Sequence, residues 1–317
     1  MIDFRYHLVS IVSIFMALAV GIVLGAGPLE GDIGTRLTEQ MTALRAEKAQ
    51  LRSDLVTANK GAAARDTFSS VVAPAVIRGR LAGRTVALVV APGADADLVK
   101  TTTASLVLAG AKVGSTVTLT DAWADPSKGS ARNTVTSSLP TGTASVGNSS
   151  PDKVAGAELA GAILGGTDRL TDRLTPSASA VLAGLEAGDL VTVSPDQVVP
   201  SSSVVFISGP VTDSTPQDIA ARLAAYVQLV GALDSAGSGI VVASKSNTVD
   251  PNQSTDLVAA VRKDPGAVKV ASTTDDADLS MGQSTLVLAL EQQYAGSSGQ
   301  YGLAADAKAI VPDGAAK

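Results

Sequence analysis

The sequence predicts an α/β domain set behind a membrane-crossing helix and a short parallel coiled-coil stalk. Three observations carry this. Residues 8–27 form one unbroken apolar run. Leucines then recur every seventh residue from Leu37. From Gly79 onward, short β-rich runs alternate with helical ones, the pattern of a sheet covered on both faces by helices.

The first element is the membrane helix. Between Leu8 and Gly27 there is no charged residue, and only Ser10 and Ser13 are clearly polar. Twenty residues at about 1.5 Å each cover roughly 30 Å, the thickness of bilayer hydrocarbon. Phe4, Tyr6 and His7 precede the run, where amphipathic rings favour the interface. A cleaved signal peptide is the rival reading. The exit Val23-Leu24-Gly25-Ala26-Gly27-Pro28 lacks a small-x-small cleavage site with an acceptable residue after the cut. The run is also long for a signal peptide, so a retained anchor is expected. With no cysteine there is no lipoprotein anchor. Arg5 lies before the helix, and Glu30 and Asp32 are the first charges after it. The positive-inside rule then puts residues 1–7 in the cytoplasm and the bulk of the chain outside, on the periplasmic side of the inner membrane. Ala17, Gly21 and Gly25 recur every fourth residue and allow two such helices to pack closely in lipid.

The second element, residues 33–72, reads as a stalk. Leu37, Leu44 and Leu51 take d positions of a heptad; Met41, Lys48 and Leu55 take a positions. Glu47 at g meets Arg52 at e of the partner helix only in a parallel homodimer, which is also what a shared membrane anchor demands. Lys48 in the seam and the small Ala58 and Ala62 beyond it make the pairing marginal, so the seam has room for a helix of another protein. The competing reading is one amphipathic helix packed on its own domain. Over about 30 residues the stalk would lift the domain roughly 45 Å. Pro74 is expected to stop any helix reaching it.

The third element, residues 79–311, is long enough for one large α/β domain or two small lobes. Strands are expected at Thr85–Val90, Lys112–Leu119, Leu190–Val193, Val204–Ser208, Ile240–Ala243 and Val268–Ala271. Helices are expected at 95–108, 151–164, 176–187, 216–233, 254–262 and 279–294. This alternation predicts a Rossmann-like parallel sheet. Asp95-Ala96-Asp97-Leu98 after the first strand is echoed by Asp276-Ala277-Asp278-Leu279 after the last. Both pairs of aspartates are read as helix caps, with a metal site as the sharper alternative. Residues 123–150 and 296–302 read as loops, and 312–317 as a disordered tail.

Composition narrows the chemistry. There are 24 Lys+Arg against 30 Asp+Glu, a formal net charge of −6, and few aromatics, which argues against a nucleic-acid surface. There is no cysteine, and His7 is the sole histidine, at the membrane interface. Ser-His, Cys-His and zinc-hydrolase chemistry therefore lack their residues in the domain. No GxGxxG follows a strand, Gly-Lys never occurs, and there is no GxSxG elbow. Catalytic, cofactor and metal residues are all expected to be absent. The only candidate pockets follow Ala91-Pro92-Gly93 and Ser208-Gly209-Pro210, at strand carboxyl ends where open α/β sheets take ligands. Ordinary strand-to-helix turns are the alternative there.

The runs DFRYHLVSIVSIFMALAVGIVLGAGPL, LRAEKAQLRSDL and VALVVAPGAD resemble the MctB family of actinobacteria. Phe4, Arg5, His7 and Ser10, with Gly21, Gly25 and Gly27, carry the specific part of the likeness. Within the family the chain looks most like its corynebacterial SteB branch. That resemblance implies a role in cell separation, a cytoplasmic SteA-like membrane partner, and a secreted peptidoglycan hydrolase of the RipA type whose helical segment meets the stalk. The family takes its name from a mycobacterial copper transport protein, so the resemblance also implies copper homeostasis or efflux. Copper sites favour Cys, Met or His ligands. Here the methionines, Met1, Met16, Met41 and Met281, are scattered.

Overall fold

A computed structural model describes residues 4–25, 29–140, 151–164, 174–194, 198–212, 215–246 and 255–313. The chain divides into two compact units, Met1–Arg65 and Asp66–Lys317. The first holds helix α1 (Phe4–Gly25) and most of α2 (Leu29–Ile77). Helix α1 is long and apolar enough to cross a membrane, and none of its residues is buried within the chain. Residues 26 and 27 of the expected span lie outside the described residues.

Helix α2 runs three residues beyond Pro74, where a stop was expected. The ring removes the donor that would bond the Ser70 carbonyl and crowds that oxygen, a cost of about 3 kcal/mol in a helix interior. The Pro74 carbonyl still accepts from Arg78 N at 3.2 Å. Tertiary packing offsets the lost bond: Ile77 and the following Leu81 are fully buried in the second unit. Asp66 accepts from the backbone N of Ser280, at the start of α10 (Ser280–Tyr294).

The sheet of the second unit has seven strands in the order β3-β2-β1-β4-β5-β6-β7. They are β1 (Thr85–Val90), β2 (Lys112–Leu119), β3 (Val191–Ser194), β4 (Ser203–Ile207), β5 (Ile240–Ala243), β6 (Ser272–Thr274) and β7 (Gln300–Tyr301). All neighbours are parallel except β3, an antiparallel edge strand that departs from the all-parallel expectation. The other edge, β7, is two residues long, and its Tyr301 makes a further bridge to Ala309.

Side chains alternate between two cores, as a strand period of two requires. Ala87, Val89, Val204, Phe206 and Val242 face one; α5 (Pro151–Ile163), α6 (Pro176–Ala187), α7 (Pro216–Ala236) and α8 (Leu257–Lys263) cover it. Val86, Leu88, Val205, Ile207 and Val241 face the other, under α3 (Ala96–Leu108) and α10 (Ser280–Tyr294). Phe206 meets Tyr226 edge-on, ring centroids 6.1 Å apart.

Five local expectations are corrected. Residues 267–270 form a short helix, α9 (Ala267–Val270), not a strand; the carboxylate of Asp264 accepts from Gly266 N and Ala267 N and starts it. The strand follows as Ser272–Thr274, whose polar side chains are buried because each has a partner. Ser272 Oγ accepts from Gln293, Thr273 Oγ1 donates to Gln300, and Thr274 Oγ1 donates to Asp276. Residues 123–140 are not loop: they contain α4 (Gly129–Ser138) after two 3-10 turns, and the rest of that expected loop, 141–150, lies outside the described residues. Gln300 and Tyr301 of the other expected loop pair as β7. Pro312 of the expected tail is buried; 314–317 lie outside the described residues.

The fifth concerns the aspartate echo. Asp95 caps α3, accepting from Asp97 N and Leu98 N at 2.8 and 3.3 Å. Neither Asp276 nor Asp278 caps α10, whose N-cap residue is Leu279 and makes no side-chain bond. Asp278 instead accepts from Ser246 N and Oγ, at 2.6 and 2.8 Å. Asp276 is fully buried, and its Oδ2 has no hydrogen-bond partner. Desolvation, above all, raises its pKa, with Thr274's hydrogen bond opposing and the Asp275 charge adding to the rise.

That raised pKa has a sign. The folded chain holds the Asp276 proton above the unfolded value of about 3.9. The group's favourable contribution is present below that value and is lost as pH rises through the folded pKa. Asp276→Asn should therefore gain stability at neutral pH, by on the order of 1 kcal/mol, because it removes the buried charge while its Oδ1 still accepts from Thr274. The gain should shrink in acid, as read by urea midpoints across that range. A loss of equal size at every pH would contradict the assignment.

Candidate functional site

Two places gather the residues singled out by sequence. The first is α2. Leu37, Met41, Leu44, Glu47, Lys48, Leu51, Arg52 and Leu55 all lie on this one unbroken helix, and all are exposed. Seven residues turn a helix about 20° short of two full turns, so the leucines and their neighbours share one stripe. Leu44, Leu51 and Leu55 are each about 60% exposed, a large apolar area for one chain in water. Ala17, Gly21 and Gly25 likewise share a face of α1, and nothing lies within 4 Å of a Cβ built on either glycine.

The second place is the crevice at the carboxyl ends of β1, β4 and β5. Sheet growth reverses between β1 and β4: the chain moves from β1 outward to β2 and β3, then returns to place β4 on the other side of β1. The two turns named from sequence meet here. Gly93 has φ +75°, open to glycine at little cost, and Gly209 packs against it; a Cβ on Gly209 would lie 2.1 Å from Gly93 O. The turns thus touch backbone to backbone and form one wall. The crevice encloses about 330 Å³.

Two further segments complete it, neither of them anticipated. Lys245, just after β5, donates to Asp95 Oδ2 at 2.9 Å. That hydrogen bond, ahead of the two backbone donors of α3, holds the Asp95 carboxyl below its usual range, and Asp95 in turn raises Lys245. Asp256 is buried at the start of α8 and accepts from Ser244 Oγ at 2.8 Å, Ser208 Oγ at 3.2 Å and Val258 N at 3.2 Å. Burial raises its pKa against those three hydrogen bonds. The sequence held a usable signal: Ser244-Lys245-Ser246 follows a parallel strand directly, the same strand-end rule that identified the other two turns.

Neither place has the donors of a copper site. Among the described residues, no three His, Cys, Asp or Glu side chains converge as metal ligands. The chain has no cysteine, and His7 lies on α1. Met16 and Met41 lie on α1 and α2, and Met281 at the start of α10. Soft thiolate or thioether clusters suited to copper(I), and imidazole sets suited to copper(II), are not present among these residues.

Comparison with known proteins adds one relationship over nearly the whole chain. The family model described as "Copper transport outer membrane protein, MctB" matches residues 1–312. The chain is 28% identical over 327 residues to the "Copper transporter MctB" of Mycobacterium tuberculosis (strain ATCC 25618 / H37Rv), covering 98% of this chain and 99% of the relative. The "Copper transporter MctB" of Mycobacterium leprae (strain TN) is 28% identical over 325 residues, with the same shares covered.

Proposed function

The chain belongs to the MctB family, and from that premise we propose that it is a single-pass, membrane-anchored, non-enzymatic scaffold of the cell envelope. On this reading the stalk is a parallel coiled coil that makes a homodimer. Its seam, or its flank, recruits a helical segment of a secreted peptidoglycan hydrolase of the RipA type in cell separation, with a cytoplasmic SteA-like partner at the membrane. The observation that carries it is the exposed heptad stripe of α2, from Leu37 to Leu55. An apolar stripe of this length has no role in a lone helix in water, and its g and e charges match a parallel partner. The apolar helix α1 is compatible with anchoring. The N-terminus inside and the bulk outside follow from charge placement around it.

In-cell photo-crosslinking from Glu47 and from Arg52, with identification of the products, tests this. Crosslinks are expected to a second copy and to a cell-wall hydrolase. Products of the second copy alone reduce the stalk to a dimerising device, and products of neither overturn the proposal.

The names of the relatives favour a second reading, copper homeostasis or efflux. On that reading copper is cargo, and the donor sets described above give it no resting place here. The chain would then act on copper through a partner. Deletion separates the two: copper sensitivity with normal cell separation supports the second, and chained cells with normal copper tolerance support the first.

A further inference from the structure

The crevice at the ends of β1, β4 and β5 has an uncommon charge layout. Asp95 belongs to the turn after β1 and Lys245 to the end of β5, with β4 between them in the sheet. Their ion pair therefore spans the mouth above Ser208 and Gly209. Both side chains remain open to solvent, 36% for Asp95 and 57% for Lys245. The floor is made of hydroxyls whose protons are already committed. Ser244 and Ser208 donate to the buried carboxylate of Asp256, so each oxygen keeps lone pairs for an incoming donor. At the mouth Asp95 and Lys245 stand side by side as anion and cation, with Asp97 and Asp278 further out acting on the lysine, and the floor offers acceptors.

Anionic ligands are poorly served. The starts of α3 and α8, where a phosphate would sit, are already capped by Asp95 and Asp256. A bare metal ion meets the Lys245 ammonium, which already holds Asp95 and lies in the field of Asp97 and Asp278. The volume, about 330 Å³, is at the small end of the ~300–1,000 Å³ range of ligand pockets.

We infer that this crevice binds a small zwitterion of the α-amino acid class, with its ammonium on Asp95 and the floor hydroxyls and its carboxylate on Lys245. The ligand replaces a 2.9 Å ion pair by two of its own. The flexible lysine stem swings aside to admit it, while the rigid Gly93–Gly209 wall stays in place. The reading is independent of the stalk and of the hydrolase.

Alanine, in either configuration, is the probe, titrated calorimetrically into the full chain in lipid nanodiscs. Propylamine, propionate and glucose are titrated separately. Alanine should bind with a dissociation constant in the millimolar range or tighter. Propylamine and propionate should each bind at least about tenfold more weakly, as should alanine to Lys245→Met, a difference of about 1.4 kcal/mol. Asp95→Asn should do the same, but it also alters the cap of α3. Lys245→Met leaves Asp95 Oδ1 in place to cap α3 and removes only an exposed ion pair, so the melting temperature should hardly move and this variant decides the matter. Four results would overturn the inference: no binding of alanine, propionate matching alanine, glucose binding in its place, or full alanine affinity in Lys245→Met.

Discussion

Arg262→Ala should cost the second unit about 3–5 kcal/mol, the scale for leaving one partner of a buried ion pair uncompensated. The side chain is 3% exposed and reaches four acceptors. Nε donates to Thr273 Oγ1 at 2.9 Å, Nη1 to Asp275 Oδ2 and Asp306 Oδ1 at 2.7 Å each, and Nη2 to the Tyr301 carbonyl at 2.5 Å. Asp275 is 7% exposed and also accepts from Leu303 N and Ala304 N. Truncation leaves that carboxylate buried with no cation, and strips Thr273 and the Tyr301 carbonyl of a donor. Total stability is typically about 5–15 kcal/mol, so this is a large share of it. At about 2–4 °C per kcal/mol for a domain of this size, melting should fall by roughly 6–20 °C. Trp123 is the only tryptophan and is buried in the larger core, so its fluorescence reports the transition. Arg262→Lys should recover part of the loss, since it keeps the charge but not the fork. A loss below about 1 kcal/mol in Arg262→Ala, the level of an exposed pair, would mean that Asp275 is not held as described.

The second large effect is expected in the stalk. Leu44→Asp with Leu51→Asp should abolish stalk pairing and, with it, capture of the hydrolase. Each leucine leaving the seam forfeits about 1.5–3 kcal/mol. Four per dimer forfeit roughly 6–12 kcal/mol, at least about four decades in the pairing constant. The natural chain has no cysteine, so Leu37→Cys supplies a clean readout at a neighbouring d position. Under mild oxidation Leu37→Cys alone should form a disulfide-linked dimer, and the triple variant should not. A linked dimer that persists in the triple variant would show that the membrane helices alone hold the pair, and the seam would lose its proposed role.

Some of this was legible in the residues because burial and periodicity coincided. Thr85–Val90 and Ile240–Ala243 are continuous apolar runs, and both are central strands as expected. The sheet could be expected to be mostly parallel because helical runs separate such strands. Polarity does not imply exposure in two of the segments that depart from expectation, 129–138 and 272–274. Ser272–Thr274 is a strand whose side chains are buried by Gln293, Gln300 and Asp276, all from distant or adjacent segments invisible to a local rule. Val268 and Val270 gave the false strand signal beside it. The matching tetrapeptides at Asp95 and Asp276 promised matching roles, yet one carboxylate caps a helix and the other is buried. The candidate crevice was half visible. Gly93 and Gly209 follow apolar strands and were found; Asp256 could not be, since its position depends on how α8 docks.

The two edges of the sheet bear on how such a molecule survives crowding. On the proposed reading, attachment to a membrane would confine copies to a surface, where encounters are frequent. A long exposed strand edge would then nucleate sheet-to-sheet growth. Here one edge is β3, four residues long and antiparallel, and the other is β7, two residues long with Ala309 bridged to its outer side. Neither offers the extended row of free backbone groups on which strand addition depends. Dense populations of this protein should remain colloidally stable, and lasting contacts between neighbours are left to helical surfaces.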